Sequence, residues 1–127
     1  MPETAQGTFE VSLMPQPDDG SGIGRLDLTK TWSGDLTGSG HGLMLSAGDP
    51  TSGSAGYVAI EVVEGALHGR SGSLAFQQLG VMHAGERELR YDVVPGSGTD
   101  GLVGITGTLA LSIDEHGHHY ELTYDLG

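Results

Sequence analysis

The chain has no cysteine, and only 5 of its 127 residues are lysine or arginine. Without cysteine it cannot form disulfides, thiolate nucleophiles or cysteine-based metal sites, and a cysteine-free composition is typical of a reducing compartment. The five basic residues stand against 17 Asp and Glu, giving a formal net charge of −12. This charge would repel a polyanion, so we expect no nucleic-acid partner and no anionic membrane partner.

Long apolar runs and helical periodicity are also missing. No stretch approaches the roughly 20 apolar residues that span a bilayer. The N-terminal sequence MPETAQGTFE has neither the basic nor the apolar segment of a secretion signal, so we expect a cytoplasmic protein. No stretch repeats apolar residues at helical spacing for three turns, which disfavours a parallel sheet with crossover helices.

Glycine and alternating strand-like residues dominate instead. The 23 glycines follow no Gly-X-Y repeat, and in β proteins such glycines are typical of turns, bulges and sharp barrel corners. The clearest period of two runs from Ile105 to Ile113, where apolar residues or glycine alternate with Thr, Ala and Ser. This pattern predicts a half-buried strand.

Eight such stretches are separated by short turn sequences, which favours neighbouring antiparallel strands in one domain over residues 1–127. Eight meandering strands either close into a barrel or form a two-sheet sandwich. The predicted strands lie near Gly7–Met14, Arg25–Ser33, Leu36–Ser46, Gly56–Gly65, Ser73–Met82, Glu86–Val94, Gly104–Asp114 and His118–Leu126.

Several of these segments resemble a known family. The string Glu61-x-x-x-Gly65-x-Leu67-x-Gly69-Arg70-x-Gly72-Ser73, the segment VPGSGT from Val94 and the pattern Leu102-x-Gly104-Ile105-x-Gly107 are similar to a family of uncharacterised bacterial proteins. Its known members are small barrels of the allene oxide cyclase type. The segments GTFEV from Gly7 and TWSGDL from Thr31 are similar as well, whereas Tyr91 stands where the family pattern has Trp.

The resemblance implies an all-β, eight-stranded antiparallel barrel, often dimeric, that can hold a small apolar molecule, with no agreed activity. The chain itself shows no nucleotide-binding loop, so we expect chemistry without a cofactor, such as isomerisation or cyclisation. Three hypotheses remain open. They are a cofactor-free cyclase or isomerase acting on a polyketide- or lipid-like molecule, a non-catalytic carrier, and a structural dimer with a filled barrel.

Glu61 is the first candidate catalytic residue. Tyr57, Ala59, Glu61 and Val63 share one face of their strand, and Val58, Ile60 and Val62 share the other. In one interpretation the three aliphatic residues point inward and Glu61 is solvated. In the other, which the family motif favours, Glu61 lies in the barrel, has a raised pKa and acts as an acid or base beside Tyr57.

The remaining candidates are side chains that would line a substrate site, namely Trp32, Arg70, Phe76, Tyr91, Tyr120 and Tyr124. Arg70 could equally hold loop carbonyls at the barrel rim, and aromatic residues on strands are more often core than catalyst. The histidines from His116 to His119 are interpreted as a solvated hairpin turn, and we expect no metal site.

Apolar residues on both faces of the strand from Val58 to Val63 also predict an outer wall that a second subunit covers. We therefore expect a homodimer.

Overall fold

A computed structural model describes residues 2–127 and shows a closed barrel in which eight antiparallel strands follow each other in chain order. The all-β barrel prediction is confirmed, and the sandwich alternative is wrong because β1 pairs with β8 over seven residue pairs, from Glu3 with Tyr124 to Phe9 with His118. The strands are β1 (Glu3–Pro15), β2 (Gly24–Gly34), β3 (Leu36–Asp49), β4 (Ser54–Leu67), β5 (Arg70–His83), β6 (Glu86–Val93), β7 (Thr106–Asp114) and β8 (Gly117–Asp125).

All eight predicted strands are present, with shifted ends. β1 begins at Glu3 rather than near Gly7, because its first residues pair with the end of β8. The turn sequence that opens with Pro95 extends further than expected, so β7 begins at Thr106 rather than near Gly104. Within residues 2–127 the helical structure is two three-residue 3₁₀ turns, Pro50–Ser52 and Asp100–Leu102. In the same part of the chain, no helix has the length and apolar character that crossing a membrane would require.

One end of the barrel is plugged by side chains, and we refer to it as the closed end. Leu102 and Ile105, from the loop between β6 and β7, are fully buried there beside Leu67 and Leu74. The loop is held against β5 because Thr99 donates its backbone N–H to the carbonyl of Ser73. The opposite end, which carries the turns 50–53 and 84–85, is the open end.

The wall has a weak seam between β6 and β7. β4 and β5 pair continuously, from Ala55 with Met82 to Leu67 with Arg70. In contrast, β6 and β7 share one register pair among the described residues, Asp92 with Thr108. In the part of the chain that the structure describes, no further register pair joins β6 to β7, so residues 86–91 have a paired edge only on the β5 side.

The middle of the barrel is shaped by glycines on β3. Gly38, Gly40 and Gly42 occupy three successive inward positions and lie opposite Trp32, Lys30 and Leu28 of β2. Because these positions carry no side chain, long side chains from β2 and β4 can meet across β3. A Cβ at Gly40 would lie 2.2 Å from the Oε2 atom of Glu61, so the glycine provides the space that this carboxylate occupies.

Candidate functional site

Glu61 lies inside the barrel, where its side chain is 1% exposed. Its strand directs Ala59, Glu61 and Val63 into the core, and it directs Val58 and Ile60 outward, where each is about half exposed. The interpretation that places the aliphatic side chains of β4 inside is therefore wrong. The inner face of β4 lies against the space that the β3 glycines leave open, and the Glu61 side chain fills that space. The aliphatic side chains of β4 therefore lie on the outer wall.

Glu61 forms a buried ion pair with Lys30, which points inward from β2 on the other side of β3. Lys30 Nζ is 3.0 Å from Glu61 Oε1 and donates a second hydrogen bond of 2.7 Å to the hydroxyl of Tyr91. Trp32 Nε1 donates to the other carboxylate oxygen, Oε2, at 2.9 Å. We call Lys30, Trp32, Glu61 and Tyr91 the polar cluster.

The polar cluster is enclosed by aromatic rings. Lys30 Nζ lies 4.4 Å from the ring centroid of Phe9 and about 5 Å from those of Trp32 and Tyr91, which is cation–π geometry. Phe76 stacks on Trp32 and meets Tyr91 edge-on. Within residues 2–127 no buried side-chain nitrogen or oxygen lacks a hydrogen-bond partner, so the cluster is internally satisfied.

Burial disfavours charge on two members of the polar cluster. It lowers the pKa of Lys30 below its ordinary value, and the nearby Glu61 carboxylate offsets part of that shift. The pKa of the Tyr91 hydroxyl is raised well above its ordinary value, first by burial and then by the negative charge of Glu61. Tyr91 therefore remains a neutral phenol, and Lys30 is an amine whose proton is held less tightly than in water.

An apolar pocket of about 470 Å³ opens above the polar cluster at the open end of the barrel. Along β4, Tyr57 lines this pocket, and Glu61 lies four residues deeper on the same face, about 13 Å further along the strand. The hydroxyl of Tyr57 donates to the Oε1 atom of Gln78 at 2.9 Å, and Gln78 pairs with Ala59, which lies between Tyr57 and Glu61 on β4. The lining side chains include Met44, Tyr57, Met82, Leu89, Leu111 and Ile113.

The predicted site residues fall into two groups. Trp32, Glu61, Phe76 and Tyr91 lie together at the polar cluster. Tyr57 was expected to be the tyrosine that contacts Glu61, which is wrong because its ring extends toward Gly80 and its hydroxyl bonds Gln78. Tyr91 is that tyrosine.

Arg70 and Tyr124 lie toward the closed end instead, and Tyr120 lies between the two groups, with its ring packed edge-on against Trp32 at a centroid distance of 5.0 Å. Arg70 is exposed at the start of β5 and does not contact Glu61, whose cationic partner is Lys30. The Tyr120 hydroxyl accepts the N–H of Leu36 and donates to the carbonyl of Ser33, which fixes the turn between β2 and β3. Tyr124 bonds the ring of His68, and burial raises its pKa to about 12.

His116 lies in the exposed turn between β7 and β8, as predicted, and Asp114 accepts its N–H. His118 and His119 were expected in the same turn, which is wrong, because they belong to β8 and are half-buried. There His118 stacks on Phe9 and the His119 ring contacts Asp114. Among the residues that the structure describes, no three His, Asp or Glu side chains are grouped as metal ligands would be.

Sequence reasoning missed Lys30 and Gln78. A signal for Lys30 exists, since it is the single lysine of the chain and lies between Leu28 and Trp32 in an alternating strand. A lone lysine in phase with apolar residues predicts an inward cation that requires a carboxylate partner.

Comparisons with known proteins agree with this barrel. A family model described as a protein of unknown function, DUF3224, matches residues 5–124. The chain is also similar to the crystal structure of a protein of unknown function from the DUF3224 family of Shewanella oneidensis MR-1, with 41% sequence identity, coverage of 100% of this chain and 98% of that chain, and a TM-score of 0.92. No protein with curated annotation matches the chain.

Proposed function

Since the chain belongs to the DUF3224 family, whose function is unknown, its activity must be inferred from the site, and we propose that it binds a small apolar molecule and promotes its isomerisation or cyclisation. The observation that carries the proposal is the position of a buried Lys30–Glu61 ion pair beneath an apolar pocket. Mostly apolar concavities with a few convergent polar groups are the usual form of small-molecule sites.

The polar cluster supplies groups suited to moving a proton within such a molecule. The Glu61 carboxylate is the base, while the Lys30 ammonium and the Tyr91 hydroxyl are the donors. Both donors lie on one side of the carboxylate, so a bound molecule could lose a proton to Glu61 and gain one elsewhere without water. Such a reaction needs no group beyond this chain's own residues. The reducing cytoplasm is the compartment we propose, because the chain has no cysteine.

Deuterium uptake at the α-carbon of 2-decanone, followed by NMR in heavy water, measures this proton transfer directly. We expect the wild-type protein to accelerate uptake, and we expect Glu61→Gln to reduce that acceleration by about 10²-fold, the usual contribution of an acid–base residue. Arg90→Gln is the control, because Arg90 is exposed on the outer wall. Thermal unfolding of each variant checks that loss of activity is not loss of fold.

Two results would overturn parts of the proposal. If the wild-type protein binds 2-decanone without accelerating uptake, the protein is a carrier and the catalytic role is wrong. If the ketone does not bind, the small-molecule role is wrong, and a filled structural barrel becomes the better description.

We also propose that the protein is a homodimer, formed across an apolar outer face made of Val58, Ile60 and Val62 on β4 with Leu79 and Val81 on β5. Four of these five are between 46% and 50% exposed. All five of these side chains are uncharged, so two chains of net charge −12 could meet on this face without opposing carboxylates. Light scattering should give a dimer for the wild type and a monomer for Ile60→Lys. A wild-type monomer at high micromolar concentration would contradict this.

A further inference from the structure

Lys30 has a second chemical capability besides proton donation. It is the single lysine of the chain, and its side chain is 3% exposed inside the barrel. Lysine is among the residues least often buried, and a lysine that increased the solubility of the protein would lie on its surface. Its position beside a carboxylate and a phenol, beneath an apolar pocket, is instead that of an amine placed to react with a carbonyl group.

We propose that Lys30 captures an apolar aldehyde as a Schiff base, so that aldehydes are the ligand class of the pocket. This rests on the proposed function and adds to it a covalent step and a ligand class. The apolar tail would occupy the pocket between Met44, Leu89 and Leu111, and the aldehyde would pass the Tyr57–Gln78 hydrogen bond to reach Nζ.

The neighbours of Nζ fit each step of the condensation. Glu61 Oε1, 3.0 Å away, accepts a proton from the ammonium and frees the nitrogen lone pair. The nitrogen attacks the carbonyl carbon, and the C=O bond becomes a C–OH group as the oxygen takes a proton from Tyr91, whose hydroxyl lies 2.7 Å from Nζ. Tyr91 regains a proton through Glu61, with which it shares a 3.4 Å hydrogen bond.

Loss of the hydroxyl as water then completes the reaction. The nitrogen retains one proton and forms a C=N⁺ bond, so one ammonium and one aldehyde give one iminium ion and one water. No oxidant or reductant is required. The positive charge stays at the position that Glu61 already neutralises and that the Phe9 ring faces at 4.4 Å. The lowered pKa of Lys30 makes the free amine more accessible than in water.

Reductive trapping tests this step. The intact protein is incubated with decanal and cyanoborohydride at neutral pH, and the decyl group is located by peptide mass mapping. Because the chain has one lysine, the α-amino group is its other amine. We expect Lys30 to be modified in the wild type, no modification at position 30 in Lys30→Arg, and at least a ~10-fold slower reaction in Leu89→Trp, whose indole fills the pocket.

Val103→Trp is the matched control, because it adds the same side chain at an exposed position of the closed end and should react like the wild type. A binding titration with decanol, which has the same tail and no carbonyl, separates this proposal from the proposed function. If decanol binds and decanal leaves Lys30 unmodified, carbonyl capture is wrong and the pocket assignment stands. If neither binds, both are wrong.

Discussion

Lys30→Met is expected to destabilise the barrel by about 3–5 kcal/mol, the cost of removing one partner from a buried ion pair. The variant leaves the Glu61 carboxylate 1% exposed among aromatic rings, with the hydrogen bonds of Trp32 and Tyr91 but no cation. Methionine fills the volume of the lysine methylene chain. The decrease in the free energy of unfolding therefore measures the removal of the charge rather than the creation of a cavity. Urea unfolding monitored by Trp32 fluorescence measures it, since Trp32 is the single tryptophan.

Two companion variants make this result specific. Lys30→Met combined with Glu61→Gln should recover most of the loss, because an amide can accept from Trp32 and donate to Tyr91 without a buried charge. Arg90→Met removes the exposed Arg90–Asp92 pair and should change the free energy of unfolding by less than about 1 kcal/mol. A Lys30→Met protein within about 1 kcal/mol of wild type would show that the pair contributes little.

Gly42→Ala is expected to lower the free energy of unfolding by roughly 3 kcal/mol, at the upper end of overpacking effects. The added Cβ would lie 1.9 Å from the carbonyl oxygen of Ile60 and 2.8 Å from the Cα of Glu61. Both atoms belong to the backbone of the paired strand, so no side-chain rotation relieves the clash. β3 and β4 must separate, and Glu61 must move with them.

Gly56→Ala provides the comparison, because its Cβ would meet nothing closer than the Gly80 carbonyl at 3.7 Å. That variant should be neutral or slightly stabilised, since alanine reduces the entropy of the unfolded chain. Equal losses for the two variants in urea unfolding would mean that the close approach at Gly42 is not the cause.

The order of strands could be predicted from the sequence because turn residues and alternation are local signals. The strands from Arg25 and from Leu36 are separated by a short glycine-containing turn, and each alternates in the period of a strand. The side of β4 that faces inward is not a local property. Val58 and Ile60 are more apolar than Ala59 and Glu61, yet they lie outside, because the space available on the inner face depends on glycines of the adjacent strand.

To predict contacts between side chains on different strands, the register of the strands must be known as well. Tyr57 and Tyr91 both point inward, but β5 places Gly80 opposite Tyr57 and Gln78 opposite Tyr91. The Tyr57 ring therefore lies over Gly80, while Tyr91 reaches the carboxylate. Lys30 could have been found from its isolation among apolar positions of β2, whereas the choice of Glu61 as its partner follows only from the strand order β2, β3, β4.

The seam between β6 and β7 makes the barrel a curled sheet with a slit rather than a uniform cylinder. Amide groups at the free edge of β6 can exchange with solvent through a local opening, whereas those between β4 and β5 require disruption of two strands that pair continuously from Ala55 to Leu67. Leu89 and Leu111 line the pocket from the two sides of this slit. Under the proposed function, local separation of β6 from β7 would admit and release the ligand while the rest of the barrel stays folded.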